Sequence, residues 1–312
     1  MRTWLGIDIG GTAVKIGVVD ESGDILLSET RSVSFDGYKT PIMTTVSTLA
    51  EEILAKCAEK PEGIGVSATG QIDVHTGTVI GVGAHFGNWL GSEIKEILED
   101  KFHLPVTVIN DANAAALGEQ CYGRAKGCEN ALVVTIGTGV GGGIVVGGRV
   151  IHGIHGAGGE IGHMVLNRDE GEACNCGKHG CVEQYCSATG IVRIAKKFLA
   201  ASTAPSSLRS IEALTCKDVF DAGKEGDALA LEILEQVYAY LGEFLANVCN
   251  VTDPEVVVLG GGVSKAGQPL LEGAQRYYKK YVFHACRETR FALASLGNDA
   301  GAYGAFKLVL EG

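Results

Sequence analysis

The chain has 312 residues, 46% of them hydrophobic, with a net charge of −11 and a pI near 5.2. That apolar share supports a sizeable core and excludes a disordered chain. The acidic balance excludes nucleic acid and an anionic membrane surface as main partners. No apolar run reaches the length of a membrane span, and residues 1–20 read as a strand pair rather than a signal peptide. A cytoplasmic, reducing setting is therefore expected, where the one cluster among ten cysteines marks a metal site rather than a disulfide framework.

The spacing predicts a strand over 4–9 (WLGIDI), a turn at Gly10, Gly11 and Thr12, a partner strand over 13–19 and a third over 25–33. Asp8 ends the first strand. A carboxylate there suits Mg2+ held through water, because that ion keeps much of its hydration shell. Lys15 is available to neutralise phosphate. The alternative is a hairpin turn that merely needs its glycines. Ile42, Val46, Leu49 and Ile53 recur at helical spacing within 40–59. A buried strand follows at 63–67, then the loop Ala68–Gly70, a helix from Gly91 to Phe102 and a strand over Pro105–Ile109. After Asn110 and Asp111 comes an alanine-rich helix, Ala112 to about Cys121, whose small residues predict close packing.

The pattern then restarts. A strand over 131–136, a glycine loop at Gly137–Gly143 and a strand over 144–151 repeat the N-terminal strand–turn–strand in kind. GTGVGG (137–142) matches G-x-G-x-x-G, but the dinucleotide fingerprint needs a helix straight after it, and GIVVGGRVI alternates as a strand. We read Gly137, Thr138 and Gly139 instead as a phosphate cradle of backbone N–H groups, with a hydroxyl from Thr138.

The densest chemistry lies in Gly156–Glu183. Cys174, Cys176 and Cys181 are spaced C-x-C-x4-C, with His163 upstream. Three thiolates and one imidazole make the set that tetrahedral structural zinc prefers. Gly177 and Gly180 sit where a tight metal loop needs a chain without Cβ hindrance. A zinc knot here would point Glu160, His163 and Glu183 into one site. A disulfide or inert thiols are the alternatives, and surface charge for the two glutamates. His155 and His179 read as loop residues. Val182–Ala201 and Asp227–Val251 predict long helices flanking a surface loop over 200–210. Glu255–Leu259 predicts a buried strand. Gly260, Gly261 and Gly262 then form either a loop against an adenine and ribose or a plain tight turn. A helix over Pro269–Tyr281, a strand over Phe291–Leu296 and a helix over Asp299–Leu310 complete the chain. Tyr277, Tyr278, Tyr281 and the remaining cysteines read as packing or surface residues. Strands interleaved with helices in two similar halves give an α/β class, two lobes around a cleft. The first lobe is expected at 1–120, completed by 299–312, and the second at 121–298 with the metal loop.

DIGGT-x-x-K at 8–15, the run Asn110–Ala116, GTGVGGG, GGEIGH at 158–163, CNCGKHGCVE and LGGGVS occur in that order. Over nearly the whole chain this resembles the ROK family of bacterial sugar kinases and repressors, within the actin-like ATPase-domain (ribonuclease H-like) proteins. The resemblance implies duplicated α/β domains around a central cleft and ATP-dependent phosphorylation of a neutral hexose at its 6-hydroxyl. It implies Asp111 as general base, although Asp is also favoured as a helix N-cap. Asn110, Glu160, His163 and Glu183 would bind sugar hydroxyls. His163, Cys174, Cys176 and Cys181 would hold structural zinc, and Mg2+ would accompany ATP. A homo-oligomer, dimer or tetramer, is expected. Many relatives carry an asparagine shortly before a glycine-tryptophan pair. Here Ala84–Trp89 reads AHFGNW, which sets N-acetylmannosamine, N-acetylglucosamine or fructose beside glucose as the sugar, with Phe86 and Trp89 as an apolar lining for an acetamido group. Only three residues precede the first strand, so a repressor with an N-terminal helix-turn-helix is not expected. A non-catalytic sugar sensor and an ATP-driven protein-binding module are the competing readings.

Overall fold

The computed structural model describes residues 2–34, 36–82 and 88–311. They form two compact units, residues 1–127, 149–159 and 298–312 in the first, and 128–148 with 160–297 in the second. The first break falls after Gly127 rather than near residue 120, because Glu119 keeps the following turn attached: its carboxylate accepts from Arg124 N at 2.8 Å and its carbonyl from Ala125 N at 3.0 Å. Segment 149–159 also belongs with the first unit, where Gln71 Nε2 donates to the His155 carbonyl at 2.9 Å.

In the first unit β1 (Thr3–Ile9), β2 (Ala13–Asp20) and β3 (Ile25–Ser32) form the expected antiparallel run. After α1 (Ile42–Leu54) come β4 (Ile64–Ala68), a short hairpin of β5 (Gln71–Asp73) and β6 (Thr78–Gly81), α2 (Ile94–Phe102), β7 (Val106–Asn110) and α3 (Asp111–Tyr122). The hairpin is too short to show alternation in the sequence. The sheet order is β3-β2-β1-β4-β7, with β1, β4 and β7 parallel. Every residue of β4 is buried, as expected for a parallel strand covered on both faces. Val46, Leu49 and Leu98 join Ile7 and Val66 in its core, and the helix Ala300–Glu311 seats Phe306 with Trp4 and Val19. Trp89 is a core side chain too, its Nε1 donating to the Thr69 carbonyl at 2.8 Å. That burial removes it as a lining for a sugar substituent. Residues 83–87, with His85 and Phe86, lie outside the described residues.

In the second unit β8 (Ala131–Ile136) pairs antiparallel with β9 (Val140–Val146) and parallel with Val256–Gly260, which pairs in turn with Arg290–Leu293. This repeats the β2-β1-β4-β7 arrangement. The glycine loop is shorter than expected. Gly141, Gly142 and Gly143 are ladder residues opposite Thr135, Val134 and Val133, so only 137–139 turn. The helix expected over 182–201 is broken. Ser187 takes an extended conformation between α4 (Glu183–Cys186) and α5 (Ala188–Ala201), where its Oγ accepts from Gly190 N and caps α5. Helix α6 (Cys216–Lys224) was not foreseen, though the Thr215–Asp218 capping box announces it. Helix α7 (Ala228–Thr252) starts at the Asp227 cap, and α8 spans Gln268–Tyr281. Among the described residues no helix is long and apolar enough to cross a membrane.

Candidate active site and metal centre

In the first unit the register of three parallel strands gathers polar groups at their carboxyl ends, where open α/β sheets bind ligands. Asp8 lies opposite Ser67, and Ala68 opposite Asn110. Asp8 Oδ1 accepts from Ser67 Oγ at 2.7 Å. Burial raises the Asp8 carboxyl above its ordinary value, against the opposing pull of the Ser67 bond and Lys15, while Asp299 adds to the rise. Lys15, paired with Asp8 in the β1–β2 ladder, places its ammonium on the Asp299 carboxylate. The turn over 10–12 closes with Gly10 N donating to the Ala13 carbonyl at 3.0 Å, and Thr12 is exposed.

Asn110, not Asp111, is the N-cap of α3. Its Oδ1 accepts from Ala112 N at 2.9 Å and Asn113 N at 3.2 Å, while its Nδ2 donates to the Gly70 carbonyl at 2.8 Å and Asp111 Oδ1 at 3.0 Å. The extended backbone required of a cap fits the residue that ends β7, so the cap falls one residue before Asp111. Asp111 Oδ1 also accepts from Ala112 N at 2.8 Å. The carboxylate is thus oriented from two sides in the first turn of a helix, where the dipole favours negative charge.

The second unit holds the cysteine cluster. Ile161–His163 is a single 3-10 turn. A ring nitrogen of His163 and the sulfurs of Cys174, Cys176 and Cys181 all lie within 4.8 Å of one another, with Cys176 and Cys181 3.6 Å apart and Cys174 3.8 Å from His163 Nδ1. A disulfide needs sulfurs about 2.05 Å apart, and all ten cysteines are free. Tetrahedral zinc with metal–sulfur bonds of about 2.3 Å would set its ligands roughly 3.8 Å apart, so the cluster fits that ion. Burial pushes the Cys181 thiol up to about 12. The loop closes through Cys174 N donating to the Lys178 carbonyl at 2.6 Å and Leu166 N to the Gly180 carbonyl at 2.7 Å. Gly180 has φ of 74°, and a Cβ there would lie 1.6 Å from the Asn167 carbonyl oxygen. Only glycine serves at that position.

His163 turns Nδ1 to the sulfurs and Nε2 to Glu160, 3.9 Å from Oε2. Glu160 is exposed. Glu183 opens α4 and reaches back to the glycine loop: its Oε2 accepts from Val140 N at 3.1 Å, and a Cβ on Gly139 would lie 2.3 Å from that oxygen. Its Oε1 lies 3.9 Å from Cys174 Sγ. Glu183 thereby ties the cysteine loop to the glycine loop. The loops 137–139 and 260–262 leave the same end of the parallel pair formed by β8 and Val256–Gly260, since Gly260 lies opposite Thr135. A pocket of about 510 Å3 opens beside the first of them, lined by Thr138, Thr189, Arg193, Lys196, Thr215 and Cys216 among others. Sequence reasoning missed this wall, and the Thr215–Asp218 box was the signal that could have found it. His155 and His179 are exposed loop residues. Tyr278 is buried with its hydroxyl on the Cys286 carbonyl at 2.7 Å, and Tyr277 donates to Glu235 at 2.9 Å.

A family model described as the ROK family matches residues 4–312. A glucokinase of Halalkalibacterium halodurans is 38% identical, over 99% of this chain and 96% of the relative. The crystal structure of a ROK family glucokinase from Streptomyces griseus in complex with glucose and AMPPNP superposes with a TM-score of 0.78 at 31% identity, covering 99% of this chain and 100% of that one. A ROK hexokinase from Thermus thermophilus gives 0.82 at 31% identity, with full coverage of both chains.

Proposed function

The chain belongs to the ROK family, and from that premise we propose that it is an ATP-dependent hexose kinase of the glucokinase type on an actin-like ATPase fold. The observation that carries this reading is the Asp111 carboxylate, held by Asn110 and Ala112 N at the strand–helix junction. Asp111 takes the proton of the sugar's 6-hydroxyl as that oxygen bonds to the γ-phosphorus and the bond to the β-phosphate oxygen breaks, releasing ADP. Asn110 is a positioning residue as well as a sugar contact, since its amide is engaged in the cap and on Asp111. Glu160, His163 and Glu183 accept and orient sugar hydroxyls.

The turns over 10–12 and 137–139 would offer the N–H groups of Gly11, Thr12, Thr138 and Gly139 to phosphates, those of Gly10 and Gly137 being bonded to the Ala13 and Gly139 carbonyls, and Gly260, Gly261 and Gly262 would receive the adenosine end. Lys15 exchanges Asp299 for phosphate. Mg2+ carried by the nucleotide would neutralise phosphate charge, and Asp8 would hold it through water. His163, Cys174, Cys176 and Cys181 would hold zinc, which would supply a fixed node for the loop carrying His163. The free thiols fit a reducing compartment, and assembly as a homo-oligomer is part of the same reading. The sugar is glucose, by likeness to the Halalkalibacterium and Streptomyces enzymes. The test is ADP release over glucose, mannose, fructose, N-acetylglucosamine and N-acetylmannosamine. Glucose should give the highest kcat/KM. A tenfold advantage for fructose or an N-acetylated sugar overturns the glucose assignment, and no sugar-dependent ADP release overturns the kinase.

A further inference from the structure

We propose that Glu170 and Arg193 are positioning residues for the metal: one half-buried guanidinium–carboxylate clamp holds both ends of the cysteine loop in ligating shape before any ion arrives. This rests on the zinc reading above. Glu170 precedes Cys174, and its side chain is only 6% exposed. Its Oε2 accepts from Arg193 Nη1 at 2.7 Å and from the Tyr185 hydroxyl at 2.8 Å, and Lys197 lies 3.4 Å from Oε1. The same guanidinium also grips the far side of the loop. Its Nη2 and Nε donate to the Gln184 carbonyl at 2.8 and 3.2 Å. The Gln184 amide spans the loop in turn, with Nε2 donating to the Glu172 carbonyl at 2.9 Å and Oε1 accepting from Cys181 N at 3.1 Å. Arg193 lies over the Tyr185 ring, 5.1 Å from its centroid, and starts from α5, outside the loop itself.

A surface ion pair would not fix a loop in this way. This one is largely shielded, with side chains 19% and 6% exposed, multidentate and shared between two chain segments, so losing Arg193 frees the Gln184 carbonyl and leaves the Glu170 carboxylate without its strongest partner. A loop held in shape by protein contacts has less ordering cost to meet when the metal binds, and partners of this kind tune affinity strongly. The exposed Arg276–Glu235 pair of the same unit, whose side chains are 51% and 45% exposed, has no such link to the loop.

The test is zinc content of the purified protein, then zinc transfer to a colorimetric chelator, in wild type, E170Q, R193K and, as control, R276K. E170Q keeps shape and loses charge. R193K keeps charge and loses the planar fork. Both should lower zinc affinity roughly 10–100-fold while the metal-free proteins keep their far-ultraviolet spectra, and R276K should match wild type. If one variant does not fold, the other carries the test. Zinc-loaded wild type with unchanged affinity in a folded E170Q or R193K overturns the clamp alone. Wild type without zinc overturns the metal reading, and the clamp with it.

Discussion

At Asp8 the carboxylate works against the fold that surrounds it. Burial is the largest influence and raises its affinity for a proton above that of the unfolded chain. The stability it contributes is thus present below the ordinary carboxylate range and lost as pH rises through the raised value, so at neutral pH the ionised side chain costs stability. Asp8→Asn should therefore raise the melting temperature of the ligand-free protein while lowering ATP-dependent turnover. A lower melting temperature with unchanged turnover contradicts the cation role. The place of Asp111 between a strand and a helix was legible, but the capping residue was not, because Asn and Asp are equally good caps and only the backbone angles at Asn110 decide between them. The Lys15–Asp299 pair was beyond reach for another reason: 284 residues separate its members, and no local spacing encodes it.

The cysteine loop is the element most fully written in the sequence, because ligand identity and glycine placement are both local. C-x-C-x4-C with an upstream histidine gave the donor set, and Gly177 and Gly180 both take positive φ in the structure. What stayed hidden were the side-chain contacts that carry it, Glu170 on Arg193 and Glu183 on the glycine loop. These depend on how α5 and β9 pack. The same reason explains the helix break at Ser187, where the hydroxyl caps α5 against an apolar pattern that runs straight through. Since Glu183 reaches the glycine loop, disorder in the cysteine loop should be felt there. Cys176→Ser should lose zinc and weaken glucose binding together, measured by metal analysis and by calorimetric titration without nucleotide. Loss of zinc with unchanged glucose affinity would show the metal to be irrelevant to the sugar contacts.

Across the molecule, each unit opens with a strand–turn–strand and continues into parallel strands, β1-β4-β7 in one and β8 with Val256–Gly260 and Arg290–Leu293 in the other. That duplication was readable because glycine turns punctuate both copies at the same point. The unit boundaries were less readable, since Glu119 and Gln71 hold segments that the strand pattern assigned elsewhere. Hexose phosphorylation by this chain requires Asp111 as the base of the phosphoryl transfer. The most direct measurement is formation of hexose 6-phosphate from ATP and glucose by wild type and Asp111→Asn, beside calorimetric glucose binding to both. Wild type should form the product, and the variant should lose about 10²–10⁴-fold in kcat while binding glucose as before. Undiminished turnover in Asp111→Asn, or no phosphorylated sugar from wild type, contradicts it.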